Sequence, residues 1–519
     1  MYDSIVIGGG LNGLVAASTL AKSGKKVLVL EKNDYIGGLN VTRSFSKYPD
    51  VKFNLGAIYP SMIRSNPKYA EFGIEDKYGV KFADTDIAFT LLYPDDGKYL
   101  YLNGDNEYFA KQIASIAGEK EADNWRHYVD VFGPLLNLIG PMLYSSAPSM
   151  DALLELLPLL GDSEDVVDLA RWMLMPLDQL VDEFFDSDYV KGAVLKFGGT
   201  MGAYAFEGGT GFWGIMVLMI AGMGFIKGGT GKVTEAFAEA AKDFGAEIRL
   251  GTPVKRIIVE DSVAKGVELT DGEVIESETV ISAFDPKNTY FKLIGKDKLD
   301  ENFTRRMDAL TGSHAGFCCV HAVLDRKPDM GDRFPGIENE RALKGSYILC
   351  PGKEYNDRFQ QDLVSGRIPE KPVWWAFTPS AQDETLAPEG LTTLSIEAAC
   401  PTEFREGDWD ENIQKYADII LESYLELSPN LRGHVVDVNV QSPRDISNRD
   451  GAMHGSIYTI DQDLSKLMLF RPLPEICDGR TQFKGLYLGS QGVHPFGGAS
   501  GSGGLNAAQA ILDDEKAAE

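Results

Sequence analysis

Cysteine is scarce in this chain and shows no pairing pattern. Five residues (Cys318, Cys319, Cys350, Cys400 and Cys477) are spread over 519 positions without a CxxC motif. That excludes a disulfide framework and a zinc knuckle, indicates no metal site, and makes a reducing, cytoplasmic setting the expectation. Positive charge is also short: 50 Lys and Arg against 77 Asp and Glu give a formal charge of −27. Such a surface repels a phosphate backbone at long range, so no nucleic acid partner is expected. Met1 leads almost directly into a strand with no basic segment before it, and no signal peptide is expected. Regular membrane spans are missing too. Two stretches lack charge, 131–150 and 208–226, but the first carries Pro134, Pro141 and Pro148 and the second six glycines. Both read as lining of a substrate domain, with peripheral membrane contact as the second reading.

What is present is ordinary globular composition, 44% hydrophobic and 24% charged. The chain opens with a strand (Ser4 to Ile7), a glycine turn, a helix (Leu11 to Ser23) and a second strand (Lys26 to Glu31), a βαβ unit. Further on, a helix from Val233 to Phe244 precedes strands at Glu247 to Leu250, Lys255 to Glu260, Val263 to Leu269, Glu273 to Ser277 and Val280 to Ala283, with Asp271-Gly272 as a tight turn. A last piece has a strand from Gly485 to Gly489 and a helix from Leu505 to Leu512, separated by SQGVHPFGGASGSGG. Glycine that dense must allow close backbone approach to something. The expected architecture is α/β: a Rossmann-like nucleotide domain assembled from segments 1–76, 226–315 and 436–519. It carries an inserted substrate domain formed by a mainly helical 77–225 and a mixed-sheet 316–435 with strands near Phe317 to Leu324, Val373 to Thr378 and Thr392 to Ala398.

Gly8, Gly10 and Gly13 form GxGxxG between the first strand and helix, where bare N–H groups at a helix N-terminus meet a pyrophosphate. Glu31 ends the second strand eighteen residues after Gly13, placed to accept ribose hydroxyls and to repel a 2′-phosphate. The Gly37-Gly38 pair lets a loop cross the diphosphate a second time, which favours FAD over NAD.

Together, GGGLNG...LEKNDYIGGLN, the block from KGGTGKVTEAF to VISAFDP, and RPLPEICDGRTQFKGLYLGSQGVHPFGGASGSGGLNAAQAI resemble the flavin-containing superfamily of amine oxidases and carotenoid desaturases. Within it, the blocks look most like phytoene dehydrogenase-like oxidoreductases. The resemblance implies FAD, a fold of the glutathione reductase type 2 class, and a cofactor site at Gly8, Gly10, Leu11, Asn12, Gly13, Glu31, Lys32, Gly38, Leu39 and Asn40. It further implies that the Val254 main chain holds the adenine, that Gly489 and Ser490 approach the ribityl and phosphate part, and that Gly498, Ala499, Ser500 and Gly501 meet the pyrimidine ring. Two positions depart from the pattern. Leu39 stands where many relatives have arginine, so one diphosphate contact is made differently or is absent. Phe496 replaces the first of three glycines, and either packs against the flavin or fills space.

Six histidines are present (His127, His314, His321, His434, His454 and His494), and only His494 lies in a cofactor-facing motif. It is the candidate acid or base, against a structural loop histidine. Arg471 is the candidate to hold a substrate carboxylate or carbonyl, against a salt bridge to a surface acid; Asp285 before Pro286 reads first as a turn former. The expected activity is FAD-dependent dehydrogenation or desaturation of a hydrophobic, isoprenoid or carotenoid-like substrate, with oxygen or a quinone as electron acceptor. The alternatives are a flavin amine oxidase, a redox-neutral flavin isomerase, or a non-enzymatic prenyl-binding protein like Rab GDP dissociation inhibitor.

Overall fold

In a computed structural model of the protein, residues 1–44, 47–83, 85–156, 163–199, 201–219, 224–312 and 316–519 are described. Two seven-stranded sheets organise them. The first runs Glu247–Arg249, Val27–Leu30, Tyr2–Ile7, Val274–Ser282, Val263–Leu269, Val254–Glu260, and Leu486–Leu488 also pairs with Val274–Ser282. Its centre is parallel: Ser4 to Ile7 lie beside Val27 to Leu30 on one side and Thr279 to Ser282 on the other. Strands covered on both faces need continuous apolar runs, and Val27–Leu30 and the end of Tyr2–Ile7 are fully buried.

Val274–Ser282 is one strand where the sequence pattern suggested two. Its first half alternates exposed and buried residues and pairs antiparallel with Val263–Leu269. Its second half is buried and pairs in parallel with the first and last strands. The change of partner at Ser277, with no break in the chain, produces the change of period that had read as two elements. The turn at Asp271-Gly272 is as expected, with Gly272 at φ +95°. Helices Leu11–Lys22, Gly231–Asp243 and Ser502–Ala518 pack together on this sheet. The last begins three residues before the expected Leu505, with Gly503 and Gly504 in its first turn.

The second sheet runs Val435–Gln441, Gly316–Leu324, Thr392–Cys400, Trp374–Phe377, Ser346–Leu349, Phe89–Tyr93, Lys98–Leu102. Phe89–Tyr93 and Lys98–Leu102 lie inside the stretch expected to be mainly helical, and Val435–Gln441 carries the second sheet past residue 435. One face packs on the Trp409–Leu427 helix. The other meets a helical layer that includes Glu119–Met142, Leu177–Phe184 and Asp188–Gly198. Most of the first uncharged stretch completes the Glu119–Met142 helix, which buries Phe132, Leu135 and Ile139. In the second, Gly211–Leu218 is a buried 3₁₀ segment. Residues 220–223 and His314 lie outside the described residues. Among the described residues, no helix is long and apolar enough to cross a membrane.

Candidate functional site

The glycines of the first turn are fixed by backbone contact. A Cβ on Gly13 would stand 2.0 Å from the Gly8 carbonyl oxygen, and Gly8 itself has φ +105°. The first-turn amides of the Leu11–Lys22 helix have no intrahelical acceptor, which leaves them directed at whatever lies before the helix. The second glycine pair crosses this turn: Gly37 N–H donates to the Gly9 carbonyl at 2.9 Å, and Gly37 bridges Gly10. Glu31 is buried, its carboxylate accepting from Gly9 N–H at 2.7 Å and Asn33 N–H at 2.9 Å. The second segment returns here, because Thr252 N–H donates to the Glu31 carbonyl at 2.8 Å, two residues before Val254. Leu39 offers no cationic group; its carbonyl accepts from Ala57 N–H at 2.9 Å, tying the loop to the following segment. The Lys32 ammonium donates to the Asn448 carbonyl at 2.9 Å, which leaves its main chain to face the cofactor.

The terminal block closes on the same place. Gly489 N–H donates to the Ser282 carbonyl at 2.8 Å. A Cβ on Gly504 would stand 1.8 Å from the Asn12 carbonyl oxygen, and one on Gly503 2.1 Å from that of Ser490. Gly504 N–H also donates to Asn12 Oδ1 at 3.1 Å, and Asn66 Nδ2 donates to the Ser500 carbonyl at 3.0 Å. Part of the glycine density therefore serves the protein's own packing. The site suits a dinucleotide: in addition to the free first-turn amides, Asn40 Oδ1 and Asn506 Nδ2 are buried without a hydrogen-bond partner among the described residues, which a native interior avoids unless something else supplies the bond. Glu31 and the Val254 region would take the adenosine end, Gly10 to Gly13 with Gly38 and Asn40 the diphosphate, Gly489 and Ser490 the ribityl side, and Gly498 to Gly501 the pyrimidine ring. Glu31→Gln keeps one acceptor oxygen for two amides. We expect FAD affinity to fall about 10- to 100-fold, the loss of one charge-assisted hydrogen bond, as read by flavin release during dialysis.

Beyond the turn, a set of mainly aromatic side chains follows one another in a circuit of contacts. Gly498 faces the Met62 sulfur, 3.5 Å from where a Cβ would stand. Three residues earlier in the chain, Tyr59 stacks on Phe225 at 4.8 Å and meets Phe377 edge-on at 5.8 Å. Its hydroxyl bonds that of Ser346. Phe377 contacts Trp375, and the Lys196 ammonium lies 5.5 Å from the Trp375 ring. Glu397, the cross-strand partner of Trp375, acts electrostatically on Lys196 and Tyr458. The Tyr458 main chain returns to the glycine turn, 2.9 Å from the Cβ position of Gly497. Tyr59, Met62, Trp375, Glu397 and Tyr458 all keep part of their surface free. Burial pushes the Lys196 ammonium down to about 7 and the Glu397 carboxyl up to about 8. Sequence reasoning missed these residues. The available signal was a lone charge in each of two apolar runs, GAVLKFGG and TTLSIEAAC.

The nominated catalytic residues do other work. Arg471 is fully buried, and its five N–H groups all donate to main-chain carbonyls: Gln491 twice, Asp461, Lys466 and Tyr458, at 2.7–3.2 Å. No donor is left for a substrate carboxylate, and no surface acid is paired with it. His494 is 1% exposed; its Nε2 lies 3.0 Å from the Met142 carbonyl, the geometry of a clamp between the terminal turn and the helix ending there. We assign it no proton transfer. Asp285 caps Pro286–Asn288 by accepting from Asn288 N–H at 2.8 Å, the turn role expected of it. Phe496 fills space, edge-on to Trp213 at 5.5 Å in the substrate-side core.

A nucleotide cradle assembled from three chain segments, with its terminal glycine turn next to a circuit of aromatic side chains, defines an FAD-dependent oxidoreductase of the amine oxidase and carotenoid desaturase superfamily. The profile of the flavin containing amine oxidoreductases matches residues 11–367, and the chain belongs to that family. It is 27% identical to pyridine nucleotide-disulfide oxidoreductase domain-containing protein 2 of Rattus norvegicus, over 99% of this chain and 94% of that protein. It is 24% identical to one of the limonene dehydrogenase subunits of Castellaniella defragrans, over 99% and 94%. It is also 24% identical to the lycopene-forming phytoene desaturase of Pseudescherichia vulneris, over 96% of each. A putrescine oxidase variant superposes with a TM-score of 0.65 at 17% identity, covering 100% of this chain and 99% of the other; the likeness there is one of fold.

Proposed function

We propose that the protein removes hydrogen from a hydrophobic organic substrate of isoprenoid or carotenoid-like character and passes the electrons to oxygen or a quinone. The observation that carries this reading is the circuit of Tyr59, Met62, Phe225, Trp375, Phe377 and Tyr458, which meets the terminal glycine turn at both of its ends and which we read as the wall of a substrate chamber. Bound FAD supplies the hydride acceptor. The chain's own part is to hold the apolar substrate against the turn, to exclude water, and to stabilise negative charge there through the N-terminus of the Ser502–Ala518 helix. Two relatives whose names specify limonene and phytoene support the substrate class. Tyr59 and Phe225 are in contact with each other, with an interplanar angle of 26°, so no substrate amine fits between them as between two walls. Anaerobic mixing tests the reading. Isoprenoid substrates are expected to bleach the bound flavin; bleaching by amines alone, or turnover of an isoprenoid without bleaching, would overturn it.

Peripheral membrane contact belongs to the same proposal. Met150, Leu154, Val167, Leu174 and Phe206, all between residues 150 and 206 on the substrate side, are between 44% and 66% exposed, and we read them as the groups that would take up an apolar substrate from lipid. The net charge of −27 disfavours anionic surfaces. We expect flotation with neutral phosphatidylcholine vesicles, reduced by Leu154→Asp with Leu174→Asp; no flotation with any vesicle removes this part.

A further inference from the structure

The far wall of the chamber carries polar groups that a pure hydrocarbon does not use. Lys196 is 4% exposed, and its one hydrogen bond among the described residues is a 3.4 Å contact to the Val373 carbonyl. An ammonium has three N–H donors, so two lack an acceptor among the described residues. The Glu397 carboxylate has no hydrogen-bond partner among the described residues, and no ion pair within 4.0 Å joins it to Lys196, although each feels the other's charge. The indole N–H of Trp375, directly across the strands from Glu397, is buried and unpartnered as well. Three polar side chains from the Asp188–Gly198 helix and two neighbouring strands thus lie together: the Lys196 ammonium is 5.5 Å from the Trp375 ring, and Trp375 stands opposite Glu397. Buried donors and acceptors are costly when unpaired, and they mark a place where something else completes the bonds.

The geometry points to a head-group site in which Lys196, Glu397 and the Trp375 N–H hold a neutral oxygen function, a hydroxyl or carbonyl, on an otherwise apolar substrate. This rests on the reading of the chamber as an apolar substrate site, and it narrows that substrate from a bare hydrocarbon to an oxygenated one. A hydroxyl accepts from Lys196 or Trp375 and donates to Glu397; a carbonyl accepts from the first two. A substrate ammonium would meet Lys196, and a substrate carboxylate would meet Glu397, so each charged head is opposed by one member of the pair. Burial, which drives both groups toward their neutral forms, matches the same preference. Cys319, Cys350 and Tyr458, the other titratable groups around the pair, are held in their protonated forms by burial and add no charge.

Equilibrium dialysis of the flavin-loaded protein against octane, 1-octanol and octylamine tests this. The expected result is that 1-octanol binds about 10- to 100-fold more tightly than octane, the worth of hydrogen bonds to ionisable groups, and octylamine no more tightly than octane. Glu397→Gln and Lys196→Met should each reduce the preference for the alcohol several-fold and leave octane within about twofold, and Trp375→Phe should reduce the preference as well, with flavin content as the control for folding. Should Lys196→Met lose its flavin, the near-isosteric Glu397→Gln still decides. Equal binding of octane and 1-octanol, tightest binding of octylamine, or a preference untouched by the substitutions overturns the head-group site and leaves the chamber standing. No uptake of any of the three overturns the chamber as well.

Discussion

Gly504→Ala releases the flavin. The added Cβ would lie 1.8 Å from the Asn12 carbonyl oxygen, and that neighbour is main chain in the first turn of the opening helix, so it cannot swing aside. The two helices must separate by more than an ångström. The hydrogen bond from Gly504 N–H to Asn12 Oδ1 lengthens as they do. Overpacking a rigid contact costs roughly 1–3 kcal/mol and occasionally more, and here the displaced atoms are those that face the diphosphate. We expect FAD affinity to drop about 100-fold or more, seen as a colourless protein after gel filtration. Gly133→Ala, where nothing lies within 4 Å of the new Cβ, should remain fully yellow. A Gly504→Ala protein that keeps its flavin would contradict the helix contact.

The second large effect is on stability. Arg471→Met removes five hydrogen bonds at once and leaves the carbonyls of Asp461, Lys466 and Gln491 without their donor, while that of Tyr458 keeps only the Ile460 N–H. A buried unsatisfied acceptor costs about 1–3 kcal/mol. Even if water relieves part of the loss, we expect about 4 kcal/mol of destabilisation, or a Tm lower by roughly 4 °C for a chain of this size. Because the guanidinium ties the segment around Tyr458 to the loop before the glycine turn, flavin should also be released earlier on heating. Arg471→Lys should recover only part of the loss, since an ammonium cannot span the same carbonyls. An Arg471→Met protein with unchanged Tm, but a raised KM for substrates bearing a carboxylate, would restore the substrate-holding role.

The cradle was legible because its signals are local. The GxGxxG run, Glu31 and Gly37-Gly38 lie within one βαβ unit and the loop after it, where residue type and spacing alone determine which backbone atoms meet. The terminal glycines were legible as a demand for close approach. What approaches them was not, since the partner of Gly504 is Asn12, at the opposite end of the chain. The chamber was hidden for the same reason. Lys196, Trp375 and Glu397 come from a helix and two strands up to two hundred residues apart, and only the register of the second sheet makes Trp375 and Glu397 partners. Arg471 shows the opposite failure: arginine beside a ligand motif suggests anion binding, yet the loops around it supply enough carbonyls to occupy it. Phe89–Tyr93 and Lys98–Leu102 were missed although Gly97, at φ +68°, marks the turn between them. The helices that follow had set the reading of the whole stretch.

The most direct measurement is flavin content. Protein purified without added cofactor and passed through gel filtration should carry close to one FAD per chain, and after removal it should take up FAD in preference to NAD or NADP. A correctly folded chain that stays colourless and binds no added FAD would show that the three segments meet around something else.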